Sequence, residues 1–247
     1  MKQKPGWVLP DLKEAQKRTT NTIDRIDTFT IPEAARMMGR GKTYFISTYG
    51  CQANERDSET LAGILDELGF TPNETAEGSD VIIINTCAIR QNAEEKVLGE
   101  IGNFKRLYRE NKDLIIGVCG CMAQEEGLVE TLLTKYPQVR LLFGTHNIQE
   151  LPSMLYSCMF EGKKVVKIYS KEGEVYENLP VHRFGTFKAW VNIMYGCDKF
   201  CTYCIVPYTR GKQRSRKMSE ILKEVQELKD EGYKEITLLG QNVNAYG

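Results

Sequence analysis

The chain has 247 residues, 41% hydrophobic and 27% charged, a globular balance with room for one large domain or two small ones. Its 33 basic and 33 acidic residues cancel, so a nucleic-acid partner can be argued only from local patches, never from bulk charge. No apolar signal core opens the chain and no stretch approaches a membrane span, so no membrane partner is expected and the expected compartment is the cytoplasm, where eight cysteines point to metal or redox chemistry rather than disulfides.

Residues 1–41 are polar, with Pro5 and Pro10, and read as an N-terminal extension; Pro32 is placed to start a short helix over 31–38. From residue 42 strands and helices alternate. TYFIS (43–47) reads as a strand, and Asn54 or Asp57 can cap a helix with Leu61, Ile64, Leu65 and Leu68 on one face, ended by Gly69. VIII (81–84) is a strand covered on both faces, followed by a helix over about 93–110. Strand 114–118, helix 124–135, strand 141–143 and helix 148–159 continue the pattern. Repeated β-α-β units predict a parallel sheet with helices on both faces, an α/β domain over 42–160. Residues 161–187 read as a linker with a short apolar run at 165–168, with a strand pair as the alternative. KAWVNIM (188–194) is a strand, 218–231 an amphipathic helix and 235–239 a strand. One strand–helix–strand unit is too little for a stable sheet, so residues 188–247 are expected to be the start of a second domain that continues beyond Gly247.

Two sets of cysteines carry the chemistry. Cys197, Cys201 and Cys204 are spaced C-x3-C-x2-C in YGCDKFCTYCIVPYTRG. Three soft, charged thiolates can hold three irons of a [4Fe-4S] cube and leave the fourth open to another ligand. The alternative is three core cysteines on a loop. Cys51, Cys87 and Cys121 follow the first, second and third predicted strands, so they meet at one sheet edge, each ahead of a helix N-terminus that favours thiolate charge. Scatter through a core is the alternative here. Cys119 and Cys158 read as core.

The spacing C-x3-C-aromatic-x-C, with Tyr203 in the aromatic place, resembles the signature of radical S-adenosyl-L-methionine (SAM) enzymes. The surrounding words, with TYGCQAN, NTCAIR and GCMAQ upstream, resemble their methylthiotransferase branch from about Lys42 to Gly247. The resemblance implies two [4Fe-4S] clusters, an auxiliary one on Cys51, Cys87 and Cys121 and a SAM-binding one on Cys197, Cys201 and Cys204, with Gly240 and Gln241 beside the SAM methionine. It implies a partial (β/α) barrel for the second domain, an electron donor such as flavodoxin or ferredoxin, and a sulfur donor. In such enzymes one SAM methylates a sulfur on the auxiliary cluster, and a second, cleaved at the other cluster, yields the radical that activates C2 of the base. CDKFCTYCIVPYTRGKQRSR and LLGQNVNAYG most resemble members acting on N6-isopentenyladenosine next to the tRNA anticodon. A threonylcarbamoyladenosine or a ribosomal-protein aspartate are the alternative substrates, and a cluster-binding piece without turnover is the non-enzymatic alternative. Arg210, Lys212, Arg214, Arg216 and Lys217 form a basic run beside Tyr208, expected either to meet RNA phosphate and a stacked base or to be a solvated loop.

Overall fold

Apolar runs long enough to be covered on both faces set the architecture. The computed structural model describes residues 26–88, 91–168 and 175–247, so most of the expected N-terminal extension lies outside the described residues. In chain order it has β1 (Ile26–Thr28), β2 (Thr43–Thr48), α1 (Gln52–Glu67) and β3 (Thr71–Pro72). Next come β4 (Val81–Thr86), α2 (Gln91–Glu110), β5 (Ile115–Gly120) and α3 (Glu126–Lys135). Then follow β6 (Val139–Phe143), α4 (Leu151–Phe160) and β7 (Val165–Lys167). Six of the strands form one sheet in the order β3-β2-β4-β5-β6-β7, with every neighbouring pair parallel. Parallel neighbours need crossovers, and the helices supply them.

β4 and β5 are buried at every position. Ile83, Ile115, Leu141 and Phe143 pack with Leu61, Ile64 and Leu65 of α1 and Met154 and Leu155 of α4. The alternate residues Ile82, Ile84, Ile116, Val118 and Leu142 pack with Val97 and Ile101 of α2 and Leu128 and Leu132 of α3. The expected α/β layering is therefore present. Strand order reverses beside β2, because β3 lies on one side of it and β4 on the other. Loops diverge at such a point, and in open α/β sheets ligands bind there, outside the carboxyl ends of the strands.

Three expectations need correction. Residues 165–167 are not linker: β7 pairs with β6 as the sheet's outer strand, and Ile168 is fully buried in the α2–α3 core. The segment does hold two strands, but they do not pair with each other: β7 joins β6, and Val175–Glu177 joins β1. The expected helix over 31–38 is only a single 3-10 turn, Glu33–Ala35, because Met37 takes φ +61°. Ala35 and Met38 nonetheless pack on α1, and β1 pairs in parallel with β8 (Val175–Glu177), so the described part of the extension is packed on the fold. Finally, Cys51 occupies the N-cap of α1, and Asn54 and Asp57 lie buried inside its first turns.

The second unit contains β9 (Lys188–Asn192), β10 (Met194–Tyr195), α5 (Val206–Thr209), β11 (Arg214–Ser215), α6 (Met218–Asp230) and β12 (Glu235–Leu239). β9 and β12 are parallel, and α6 connects them, consistent with the opening unit of a barrel. Ala189, Val191, Met194, Ile221 and Leu228 form its core. The antiparallel pair β10–β11 closes the base of the cysteine loop, with Tyr195 opposite Arg214.

Candidate functional site

A glycine stands directly before Cys51, Cys121 and Cys197, and each has a positive φ: Gly50 at +138°, Gly120 at +96° and Gly196 at +71°. None has room for a side chain. A methyl group would lie 2.6 Å from Cys87 Cβ at Gly50, 2.3 Å from Thr86 O at Gly120, and 2.1 Å from Lys212 O at Gly196. Glycine is the residue that tolerates both constraints at once. The chain can therefore turn sharply off β2, β5 and β10 and leave a cysteine at each strand end.

β2, β4 and β5 are adjacent in the sheet. Thr86 is paired with Gly120, so the next residues, Cys87 and Cys121, leave their strands at the same level. Cys51 is half-buried, and Cys87 and Cys121 are buried. A buried amide lock holds this edge. Asn54 Nδ2 donates to Thr86 O at 2.8 Å and to Asn85 Oδ1 at 3.2 Å, while Asn85 Nδ2 donates to Asn54 O at 2.8 Å and Ser58 Oγ at 2.9 Å. A hydrogen bond from Cys87 holds the Cys51 thiol down to about 5 against the upward push of burial, helped by the Asn54 and Ala53 amides and the Arg210 charge. Cys119 points the other way, into the α1 core, where burial raises its thiol well above the ordinary range. Cys158 is also core, raised to about 11 by burial.

The second cysteine loop lies across the same edge. Cys197 is buried, and its amide donates to Gly211 O at 3.1 Å. Cys204 N donates to Cys201 O at 2.9 Å, folding the loop so that Cys201 is exposed and Tyr203 is 94% exposed. Gln241, just beyond β12, accepts the Gly196 amide at 2.7 Å, and a methyl on Gly240 would sit 2.5 Å from Met194 Cγ. Gly240 and Gln241 are thus brought to the cysteine loop. Among the described residues, no three His, Cys, Asp or Glu side chains are gathered closely enough to enclose a metal ion as they stand. The donor chemistry of each trio is nevertheless that of a thiolate site.

The basic run is not the solvated surface that its composition suggests. Arg210, Arg214 and Lys212 are only 7%, 5% and 1% exposed. Arg210 Nη2 lies 2.7 Å from Asp57 Oδ2, and Arg214 Nη1 donates to Lys212 O at 2.7 Å. Arg216 is paired with Glu177 at 2.9 Å and Glu224 at 2.6 Å, and Tyr208 packs edge-on against Phe200. Their donors are turned inward, onto these partners. Glu224 is the hub of a network that joins the units: it also meets Arg56 of α1 at 3.1 Å and Arg183 at 2.7 Å, and Arg183 reaches Glu59 at 2.8 Å. Sequence reasoning missed Asn54, Asn85, Asp57 and Glu224 as site-building residues. The one available signal was polar residues at core positions of the apolar helix and strand.

Comparison with known proteins adds the family. Residues 43–144 match the profile described as uncharacterized protein family UPF0004, and residues 191–247 match the radical SAM superfamily. A protein of Geobacillus thermodenitrificans is 58% identical over 96% of this chain and 46% of its own length. One from Staphylococcus saprophyticus is 59% identical over the same shares, and one from Bacillus licheniformis is 57% identical over 98% of this chain and 47% of its own length. All three bear the name tRNA-2-methylthio-N(6)-dimethylallyladenosine synthase. The chain belongs to the methylthiotransferase family of radical SAM proteins. It spans about half the length of the curated family members it matches, aligned with their N-terminal portion. The first family profile ends at Gly144, one residue past β6, and the second begins inside β9, so both cysteine trios fall within matched segments. Among the described residues, no helix is long and apolar enough to cross a membrane.

Proposed function

We propose that the protein to which this chain belongs is a cytoplasmic tRNA methylthiotransferase, adding a methylthio group to C2 of N6-isopentenyladenosine next to the anticodon. The observation that carries the reading is the identity of 57–59% over nearly the whole chain to relatives bearing that synthase name. In this reading residues 42–168 are the auxiliary-cluster domain and residues 188–247 open the radical SAM domain. Cys51, Cys87 and Cys121 hold one [4Fe-4S] cluster, and Cys197, Cys201 and Cys204 hold another, with SAM beside Tyr203, Gly240 and Gln241. When bound, one cluster supplies reductive cleavage of SAM and the other holds the sulfur that is transferred.

The chain's own residues have three tasks. Gly50, Gly120 and Gly196 set the turns that aim the cysteines. The Asn54–Asn85 lock keeps the Cys51 and Cys87 loops in register. Gln241 fastens the end of β12 to Gly196, so the strand end and the cysteine loop move as one body. An electron donor such as flavodoxin or ferredoxin and a sulfur donor complete the set of partners. The test is nucleoside mass analysis of tRNA from cells of the source organism lacking the gene and from cells with it restored. Loss and return of 2-methylthio-N6-isopentenyladenosine supports the proposal. An unchanged level of that nucleoside, with loss of the threonylcarbamoyl form or of a methylthiolated ribosomal-protein aspartate instead, overturns the substrate assignment.

A further inference from the structure

The segment Thr209–Gly211 belongs to the second unit but is built into the first. Thr145 Oγ1 donates to Thr209 O at 2.6 Å, and α5 packs on the turn Cys121–Gln124. A methyl on Gly211 would meet His146 Cε1 at 2.8 Å, so this backbone lies flat on the first unit's edge. Between these two anchors Arg210 enters the interior and pairs with Asp57 at 2.7 Å, with both side chains over 90% buried. Buried ion pairs carry a desolvation penalty and are weak stabilisers. Docking alone would be served as well by an apolar pair, so the placement of this cation calls for another account. Its partner Asp57 lies in the second turn of α1, the helix that Cys51 caps, and α5, which ends one residue before Arg210, packs on the turn that opens with Cys121, so this cation stands at the edge that holds the first trio.

We propose that Arg210 is a positioning residue of the second unit that sets the charge felt by the group held on Cys51, Cys87 and Cys121, with Asp57 as its counterweight. The proposal rests on the reading of that trio as a [4Fe-4S] site. Reduction adds negative charge to such a cluster, so a nearby cation favours the reduced form and an anion disfavours it. The two members of the pair therefore act with opposite sign, which a merely structural role does not do. It also means that the SAM-cluster unit, through one arginine, tunes the auxiliary centre of the other unit.

The test uses the 247-residue chain with Cys197, Cys201 and Cys204 replaced by Ala, reconstituted anaerobically and titrated with dithionite and redox dyes while the reduced cluster is followed by EPR. Asp57→Asn is expected to raise the midpoint potential and Arg210→Met to lower it. The double variant, which leaves no bare ion in the interior, is expected between the parent and Arg210→Met, and it gives a reading even where Arg210→Met unfolds. Equal potentials in all loaded proteins, or shifts of the same sign for the two single variants, overturn the proposal while leaving the cluster assignment intact. A parent that takes up no iron overturns the cluster assignment, and the proposal with it.

Discussion

Gly120→Ala isolates the turn that delivers Cys121. Gly120 has φ +96° and ψ −167°, a region essentially reserved to glycine, where a side chain costs about 1–3 kcal/mol in backbone strain. The added methyl would also lie 2.3 Å from Thr86 O and 2.5 Å from Asn85 Oδ1. Relief requires moving β4 backbone, an overpacking cost of about another 1–3 kcal/mol. The sum is a loss of about 2–6 kcal/mol. Gly78 is the internal control: it has φ +78° with nothing within 4 Å of a methyl, so Gly78→Ala carries only the left-handed penalty of about 1 kcal/mol. Both changes restrict the unfolded chain equally, so the difference between them reads the crowding and the rarer backbone region at Gly120. Urea unfolding followed by circular dichroism measures it. A Gly120→Ala loss no larger than that of Gly78→Ala would refute the argument that this turn is held against β4.

Two further outcomes follow from the same geometry. Cys119→Ala should keep iron bound at the first trio while Cys121→Ala loses it or makes it labile, measured as iron per chain with Cys197, Cys201 and Cys204 already replaced; the reverse pattern would mean that the buried thiol is the ligand. Glu224→Gln should destabilise the chain by about 3 kcal/mol, because it removes the carboxylate facing three arginines of both units. It should also flatten the acid limb of stability. Burial pushes the Glu224 carboxyl up, but Arg56, Arg216 and Arg183 outweigh it and hold it below its usual range. A depressed carboxyl contributes stability above its unfolded pKa and loses it as pH falls through the folded value, so the wild type should lose this contribution below about pH 4.5 and the variant should not. Urea midpoints across pH 3–7 read both effects, and parallel pH profiles for the two proteins would contradict the assignment.

The sheet was legible because its signals are local. VIII and LIIGV are runs that only a doubly covered strand needs, and the Leu61–Leu68 stripe has helical spacing. The cysteines were legible as pairs of spacing and position, Cys51, Cys87 and Cys121 each following a strand. The ion pairs of the basic run were not legible, because the partner of Arg210 is 153 residues away. Asn54 and Asp57 were read as caps, the usual role of such residues before a helix. Their true role depends on Asn85, Thr86 and Arg210, which no local window contains. The run at 165–168 showed a possible strand but not its partner, since three residues carry no periodicity and β6 lies more than twenty residues upstream.

The central claim is that two separate thiolate trios hold two clusters, and iron and acid-labile sulfide content after anaerobic reconstitution tests it most directly. The chain should hold about eight irons, from about four per cluster. Replacing Cys51, Cys87 and Cys121 with Ala, or Cys197, Cys201 and Cys204 with Ala, should each leave about four. Iron content unchanged by either triple replacement, or abolished by both, would contradict the account.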